Sequence, residues 1–300
     1  MDQERVRSIT LDAETLEKIS PDRLMAPSPE FIRRYQALVG YGSTVAKRKS
    51  CVFVGLARNV GGLMRLNASR IESLASLFGK SAVLIVENDS TDDTKEILQQ
   101  WAAGNPTVHV KSFDNGRPHL TGFEPERVAN LAEYRNIAHD IVRAEYGEFD
   151  YVCVLDTDVW GGYAGLETAV AWHNVNESIG WTASVSGWTH NGKLLHYDQW
   201  AFRRYGWETR FEEYFNFWLP PAGSDLIPVR SAFGGMCMYK MGAFLAGRYS
   251  GGDCEHVQFH KSIRRAGFMG YLNPSQRVFI TAHEEVPAGD MHGDVCQTVD

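Results

Sequence analysis

The sequence has no run approaching the ~20 consecutive apolar residues that a bilayer-spanning helix needs, no CxxC spacing, no basic tract longer than Lys47-Arg48-Lys49, and no internal repeat or low-complexity segment. Each absence removes a class of protein. The opening Met1-Asp2-Gln3-Glu4-Arg5 offers no apolar core for a signal peptide, so a cytoplasmic protein, soluble or peripherally associated with a membrane, is expected. Five cysteines make an odd number, and Cys51 and Cys153 lie inside apolar, strand-like runs, which argues for buried free thiols rather than a disulfide framework or zinc knuckle. A formal net charge of -7 gives no electrostatic footprint for a polyanion, so nucleic acid is not an expected partner and the short basic cluster reads as a solvated edge. What is present is 300 residues, 44% hydrophobic and 22% charged, enough to bury a sizeable core as one large domain or two closely packed halves.

Residues 1–49 read as an N-terminal arm packed on a core, with a charged helix from Asp12 to Ile19 and prolines at 21, 27 and 29. From Cys51 the pattern alternates. Apolar runs at Cys51–Leu56, Ala82–Val86 and Tyr151–Leu155, with Val108–Phe113 as a further candidate strand, are separated by helical spacing at Leu63–Phe78, Thr91–Trp101 and Arg127–Ala144. Such alternation predicts an α/β fold with a mostly parallel central sheet flanked by helices on both faces. The second half differs: between Trp188 and Trp218 aromatic and polar residues interleave with neither helical nor strand period, which suits core filling with a minority of rings facing a ligand. Ser231–Tyr239 reads as a strand carrying Gly234-Gly235, where backbone can approach a ligand closely. The Gly-containing tail, 286–300, is expected to be flexible.

The most informative stretch is Tyr151-Val152-Cys153-Val154-Leu155-Asp156-Thr157-Asp158, an apolar strand ending on two carboxylates one residue apart. In an open α/β sheet ligands bind beyond the carboxyl ends of the strands, so two hard oxygen donors there suit a divalent cation such as Mg²⁺ or Mn²⁺. A lone Asp-x-Asp is more often a helix cap or turn. Two other strands, however, also end in residues suited to a nucleotide: Ala57-Arg58-Asn59 after the first and Glu87-Asn88-Asp89-Ser90-Thr91-Asp92 after the second.

Taken together these motifs resemble those of GT-A fold glycosyltransferases over roughly residues 51–283. Val86-Glu87-Asn88-Asp89-Ser90-Thr91-Asp92-Asp93-Thr94 is similar to the acidic D-D-G-S-x-D-x-T of family-2-like enzymes, Arg135-Asn136 stands before the Asp-x-Asp, and Cys254-Glu255-His256-Val257 precedes a helix ending in Gly267-Phe268 as the E-D-v motif does. More narrowly, Glu87-Asn88-Asp89-Ser90, Leu131-Ala132-Glu133-Tyr134-Arg135-Asn136 and Tyr197-Asp198-Gln199-Trp200-Ala201-Phe202-Arg203 resemble segments of the fungal capsule-associated α-mannosyltransferase family. The resemblance implies a catalytic domain over 50–285, with a nucleotide-sugar half (50–160) and an acceptor half (161–285), acting on a donor such as GDP-mannose or a UDP-sugar with Mn²⁺ or Mg²⁺ and a glycan acceptor. It implies that Ala57, Arg58, Asn59, Glu87 and Asn88 line the base and ribose pocket. Arg135 would reach the ribose or diphosphate, and Asp156, Thr157 and Asp158 the metal and nucleotide. Trp160, Trp200, Gly234 and Gly235 fall to the sugar or acceptor side. Glu255, flanked by Asp253 and His256, is the candidate base, although His256 replaces the usual Asp and leaves the stereochemical outcome open. His283, after Phe279-Ile280-Thr281-Ala282, resembles a late metal-ligating histidine.

Each residue also has a plainer reading. Arg135 is a natural partner for Glu133 or Asp140 on a helix surface, Glu87 and Asp253 are natural turn or cap acids, and a histidine after a strand is usually a hydrogen-bonded structural residue. Among rival enzymes, Val154-Leu155-Asp156-Thr157-Asp158-Val159 also fits the D-x-D-x-[TV] of haloacid-dehalogenase-like phosphatases, with Asp156 as nucleophile, but that motif normally opens its domain and here three strands already precede its own. A sugar-nucleotide nucleotidyltransferase needs a Gly-rich basic loop after the first strand, of which Arg58-Asn59-Val60-Gly61-Gly62 is a faint version. A carbohydrate-binding protein without catalysis would account for the aromatic segment but not for the acidic strand ends.

Overall fold

Alternating faces of one central sheet organise the chain, as seen in a computed structural model that describes residues 20–120, 122, 124–190, 193–206 and 219–282. The first half follows the expected alternation: β1 (Ser50–Ala57), α-helix Gly61–Ala75, β2 (Lys80–Asn88), α-helix Thr94–Gly104, β3 (Val108–Phe113), α-helix Pro125–Glu145 and β4 (Tyr151–Asp156). With the N-terminal helices α1 (Pro21–Leu24) and α2 (Ile32–Ala46) counted first, these three helices are α3, α4 and α5. β1 is sandwiched by β2 and β4, both parallel to it, and its residues alternate between two cores. Val52 and Val54 face Ala138 and Val142 of α5, whereas Cys51 and Phe53 face Met64 and Ile71 of α3. A strand covered on both sides reads as one unbroken apolar run.

The second half departs from the expectation of a mostly parallel sheet. Strand–helix alternation stops after α6 (Leu166–Val175), which follows the short β5 (Gly162–Ala164), and without crossover helices successive strands return antiparallel. β6 (Ile179–His190), β7 (Lys193–His196), β8 (Ile227–Val229), β9 (Met236–Lys240) and β10 (Met269–Ala282) complete a ten-stranded mixed sheet, with α7 (Met241–Ala246) and α8 (Glu255–Arg265) between the last two strands. The order is β3-β2-β1-β4-β9-β6-β10-β5, and only β6 and β10 pair in parallel beyond β4. The antiparallel β9 starts where β4 ends, with Met236 opposite Leu155, so the turn before it stands at the mouth of β4.

That turn corrects the strand expected at Ser231–Tyr239, which begins only at Met236. Gly234 and Gly235 have φ of 67° and 78°, a left-handed backbone that ends extended structure and that glycine adopts without a Cβ penalty. A Cβ on Gly234 would stand 2.0 Å from the carbonyl oxygen of Ser184, so the glycine is also a close-approach position.

The N-terminal segment from Pro21 packs onto this sheet. Arg277 of β10, 1% exposed, donates to the carbonyls of Pro21 and Met25, to the Asp22 carboxylate at 3.0 Å and to the Tyr35 hydroxyl at 2.7 Å. Gly42 of α2 lets that helix approach the backbone of Glu167 on α6 closely. The helix expected at Asp12–Ile19 and the tail at 286–300 lie outside the described residues. Cys51, Cys153, Cys237 and Cys254 are buried free thiols, and no described helix is long and apolar enough to cross a membrane.

Candidate active site

The strand order of the first half places β2 on one side of β1 and β4 on the other, and the crevice at such a switch point is where open α/β sheets bind ligands. Ala57 is in register with Glu87, and Leu56 with Asp156, so the three acidic or polar strand ends lie side by side along one edge. A cleft of about 320 Å³ opens there.

The Asp-x-Asp segment is held by several elements at once. The N–H of Asp156 donates to the carbonyl of Gly235 at 2.9 Å, tying β4 to the glycine turn. Thr157 donates its hydroxyl to the Leu56 carbonyl at 2.7 Å, and the buried Asn67 of α3 donates to the carbonyls of Thr157 and Val159 at 2.9 and 2.8 Å. Arg70 reaches the Trp160 carbonyl at 2.8 Å, while the N–H of Trp160 donates to Ile280 on β10. The loop is therefore shaped before any ligand arrives. Asn67→Ala leaves two buried carbonyls without their donor and is expected to destabilise the fold by about 2–4 kcal/mol, measured by urea unfolding; a change below about 0.5 kcal/mol, the range of a neutral surface substitution, would show that the loop stands without Asn67.

Arg135 of α5 is 7% exposed and spans the cleft. Its Nε donates to Glu255 at 2.9 Å, its Nη2 stands 3.6 Å from Asp156, and its guanidinium lies over the rings of Phe233 and Tyr249 at 5.4 and 5.9 Å. The partner is thus neither Glu133 nor Asp140. Glu133 pairs with Arg117 and Asp140 with Arg248 instead. Glu255 opens α8 as its first residue and is 2% exposed. His256 stacks on Phe233 with ring centroids 3.7 Å apart. Burial, then the charge of Arg135, holds its imidazole well below its ordinary pKa, so it is neutral.

Of the residues expected at the site, Ala57, Arg58, Asn88, Arg135, Asp156, Thr157, Asp158, Trp200, Gly235, Glu255 and His256 line this cleft. Five others do not. Asn59 and Glu87 stitch loops: Asn59 accepts the N–H of Thr91 at 2.8 Å, and the fully buried Glu87 accepts that of Ser90 at 2.9 Å, its other oxygen having no hydrogen-bond partner among the described residues. Trp160 turns into the core at 6% exposure because its backbone is bound to Ile280. Gly234 packs against Ser184, and Asp253 binds Arg203 at 2.8 Å away from the cleft. His283 lies outside the described residues. Arg58 reaches the carbonyls of Arg117 and Pro118, fixing the 114–120 loop over the site.

Sequence reasoning missed Asp198, Tyr197, Phe233, Arg127 and His119, all of which line the cleft. Asp198 lies in the Tyr197-Asp198-Gln199-Trp200 segment, and an acid inside an aromatic run was the available signal.

Four carboxylates, Asp156, Asp158, Asp198 and Glu255, thus face one cleft in which Arg135 pairs with two of them. Withdrawal from water, then the charge of Asp158, pushes Asp156 up to about 7 against the pull of Arg135. Such a site favours a cation. Among the described residues no three His, Cys, Asp or Glu side chains gather as a ligand set; two carboxylates match what Mg²⁺ or Mn²⁺ takes from a protein when phosphate oxygens and water complete its shell. The raised pKa of Asp156 fixes the sign of a pH effect. The folded protein binds this proton more tightly than the unfolded chain, so the contribution to stability is largest below about 4 and lost as pH rises through about 7. Proton and cation compete for the same oxygens, so Mn²⁺ affinity is expected to rise with pH across that window, with proton uptake or release measured by calorimetry in buffers of different ionisation enthalpy. A pH-independent affinity would place the cation elsewhere.

No family model and no curated protein matches the chain. Solved structures do. The crystal structure of GalNAc-T7 with UDP, GalNAc and Mn²⁺ superposes with a TM-score of 0.50 at 14% identity, covering 89% of this chain and 56% of that one. A mannosyltransferase from Pyrobaculum calidifontis in complex with GDP-Man and Mn²⁺ matches at TM-score 0.47 and 15% identity, over 92% and 70% of the two chains. S. aureus TarS in complex with UDP-GlcNAc matches at 0.47 and 15%, over 80% and 61%. At these identities the likeness is one of fold, and the fold is GT-A.

Proposed function

We propose that the protein is a metal-dependent glycosyltransferase that moves a hexose from a nucleoside-diphosphate sugar to a hydroxyl of a glycan or other acceptor. The observation that carries this reading is the pair Asp156 and Asp158 at the end of β4, facing the same cleft as the buried Arg135. Two carboxylates for a cation and one fixed guanidinium are what a departing diphosphate needs. The cation, Mn²⁺ or Mg²⁺, would be held by Asp156 and Asp158 and would offset charge developing on the leaving phosphate. His283 remains the candidate third ligand.

The chain's own residues divide the work. Arg58 and Asn88 with Ala57 form the base and ribose side, with Asn59 and Glu87 behind them shaping the loops. Arg135 binds and orients the diphosphate, with Glu255 as the positioning residue that holds its guanidinium. Trp200 and Gly235 bound the sugar and acceptor side, so residues 50–160 serve the donor and 161–285 chiefly the acceptor. The resemblance of three segments to fungal capsule-associated α-mannosyltransferases makes GDP-mannose the first donor to test, and UDP-sugars the second.

The test is a donor screen scored by release of free nucleoside diphosphate with and without Mn²⁺. Metal-dependent release from one donor is expected, and inorganic phosphate from simple phosphomonoesters is not. Phosphomonoester turnover through an aspartyl-phosphate on Asp156 would replace this reading with the phosphatase one.

A further inference from the structure

Resting on the glycosyl-transfer reading, we infer that Arg203, locked by Asp253, is the positioning residue of the acceptor wall: it sets where Trp200 stands in the cleft and so where the attacking hydroxyl lies. Neither Arg203 nor Asp253 lines the cleft. Residues 197–202 carry Tyr197 and Trp200 into it, yet they belong to neither helix nor strand. No ladder of backbone bonds fixes such a segment, so its shape rests on the partners that its carbonyls and N–H groups find elsewhere. On the cleft side, Asp198 accepts the N–H of Ala201 at 3.2 Å and that of Gly234 at 2.6 Å.

On the far side the guanidinium of Arg203 gathers the carbonyls. Its Nη1 donates to Trp200 at 2.9 Å and Phe202 at 2.7 Å, and its Nη2 to Asp253 at 2.8 Å. The planar fork directs separate N–H groups at carbonyls and carboxylate, which a single ammonium cannot do. Arg203 is 5% exposed, and Asp253 supplies the charge that lets a guanidinium stay buried. The same Asp253 oxygen accepts the N–H of Cys254 at 2.7 Å, one residue before α8. The backbone of Arg203 pairs with Ser231 in both directions, at 2.8 and 3.1 Å. One residue therefore ties together three stretches that bound the cleft: the Trp200 segment, the segment entering the Gly234 turn, and the start of α8 with Glu255.

The donor side hangs on other elements. Ala57, Asn88 and Asp158 stand at or just beyond the ends of β1, β2 and β4, and Arg135 on α5. Loosening Arg203 therefore frees the acceptor and not the nucleotide. A sugar hydroxyl must be held against the anomeric carbon, and a small displacement lowers its rate steeply. Water needs no such wall, since any molecule of it that enters the cleft can attack.

The donor found in the screen is supplied with Mn²⁺ and with methyl glycosides of the common hexoses as acceptors, and release of nucleoside diphosphate is compared with release in water alone. Arg203→Met keeps an apolar stem and leaves Asp253, whose side chain is 30% exposed, to water. It should bind GDP or UDP, and hydrolyse the donor, within about threefold of the unaltered protein, while kcat/KM for the hexoside falls roughly tenfold to a hundredfold. If Arg203→Met fails to fold, Asp253→Asn removes only the charge and keeps an oxygen for Arg203 and Cys254; a smaller split of the same kind is expected. Equal losses of hydrolysis and transfer, loss of nucleotide binding, or an unchanged hexoside rate would each overturn the role of Arg203. So would hexosides that speed release no more than water does, because the wall would then not serve a sugar hydroxyl. Failure of the glycosyl-transfer reading looks different: the unaltered protein would then release no nucleoside diphosphate from any donor.

Discussion

Asp158→Asn is expected to abolish Mn²⁺-dependent binding of the donor while leaving the fold intact. Asp158 is exposed at the cleft, and its neighbours Thr157 and Val159 are tied by their carbonyls to Asn67, so the backbone does not depend on the Asp158 carboxylate. The amide keeps the shape and removes the charge that would offset a divalent ion, so a loss on the order of 10²-fold or more in metal-dependent affinity is expected. Asp156→Asn should be nearly as severe for the metal. It should also relieve the like-charge strain of the metal-free site, since Asp158 is the leading charge that raises Asp156. Calorimetry with the nucleoside diphosphate, with and without Mn²⁺, measures both, and unchanged turnover in Asp158→Asn would remove the central claim.

Arg135→Ala is expected to damage both folding and nucleotide binding. The guanidinium is 7% exposed, hydrogen-bonded to a carboxylate that is 2% exposed, and packed between two aromatic rings. Removing one partner of a buried pair leaves an uncompensated charge, which costs about 3–5 kcal/mol. Any molecules that remain folded should bind free nucleoside diphosphate roughly tenfold or more weakly, from about 1.5–3 kcal/mol per lost charged hydrogen bond. Glu255→Gln tests the division of labour: it should lower nucleotide affinity through a loosened Arg135. Thermal unfolding and nucleotide titration of the two variants check this, and normal stability with normal affinity in Arg135→Ala would mean the pocket lies elsewhere.

Much of the first half of the sheet was legible in the chain. β1, β2, β3 and β4 sit within two residues of the expected runs at each end; for β1, β2 and β4 the reason is that a strand buried on both faces needs an unbroken apolar sequence, which is a local property. Asp156 and Asp158 follow from the same locality, since the carboxylates end a strand whose direction the strand–helix alternation sets. Even there a short-range reading misplaced side chains. Glu87 and Asn59 lie at the right strand ends, yet one bonds the N–H of Ser90 and the other that of Thr91, and Trp160 turns inward once its N–H meets β10.

Residues near the end of β4 were therefore determined by the sequence: an apolar strand must stop somewhere, and here it stops on two acids. Which acids stay free was decided only by the tertiary structure. Arg135 finds Glu255 across 120 residues, and Asp198 reaches the turn of Gly234 across 36. Coulomb energy and desolvation depend on distance in space and on what water is excluded, and neither is written in the order of residues along the chain.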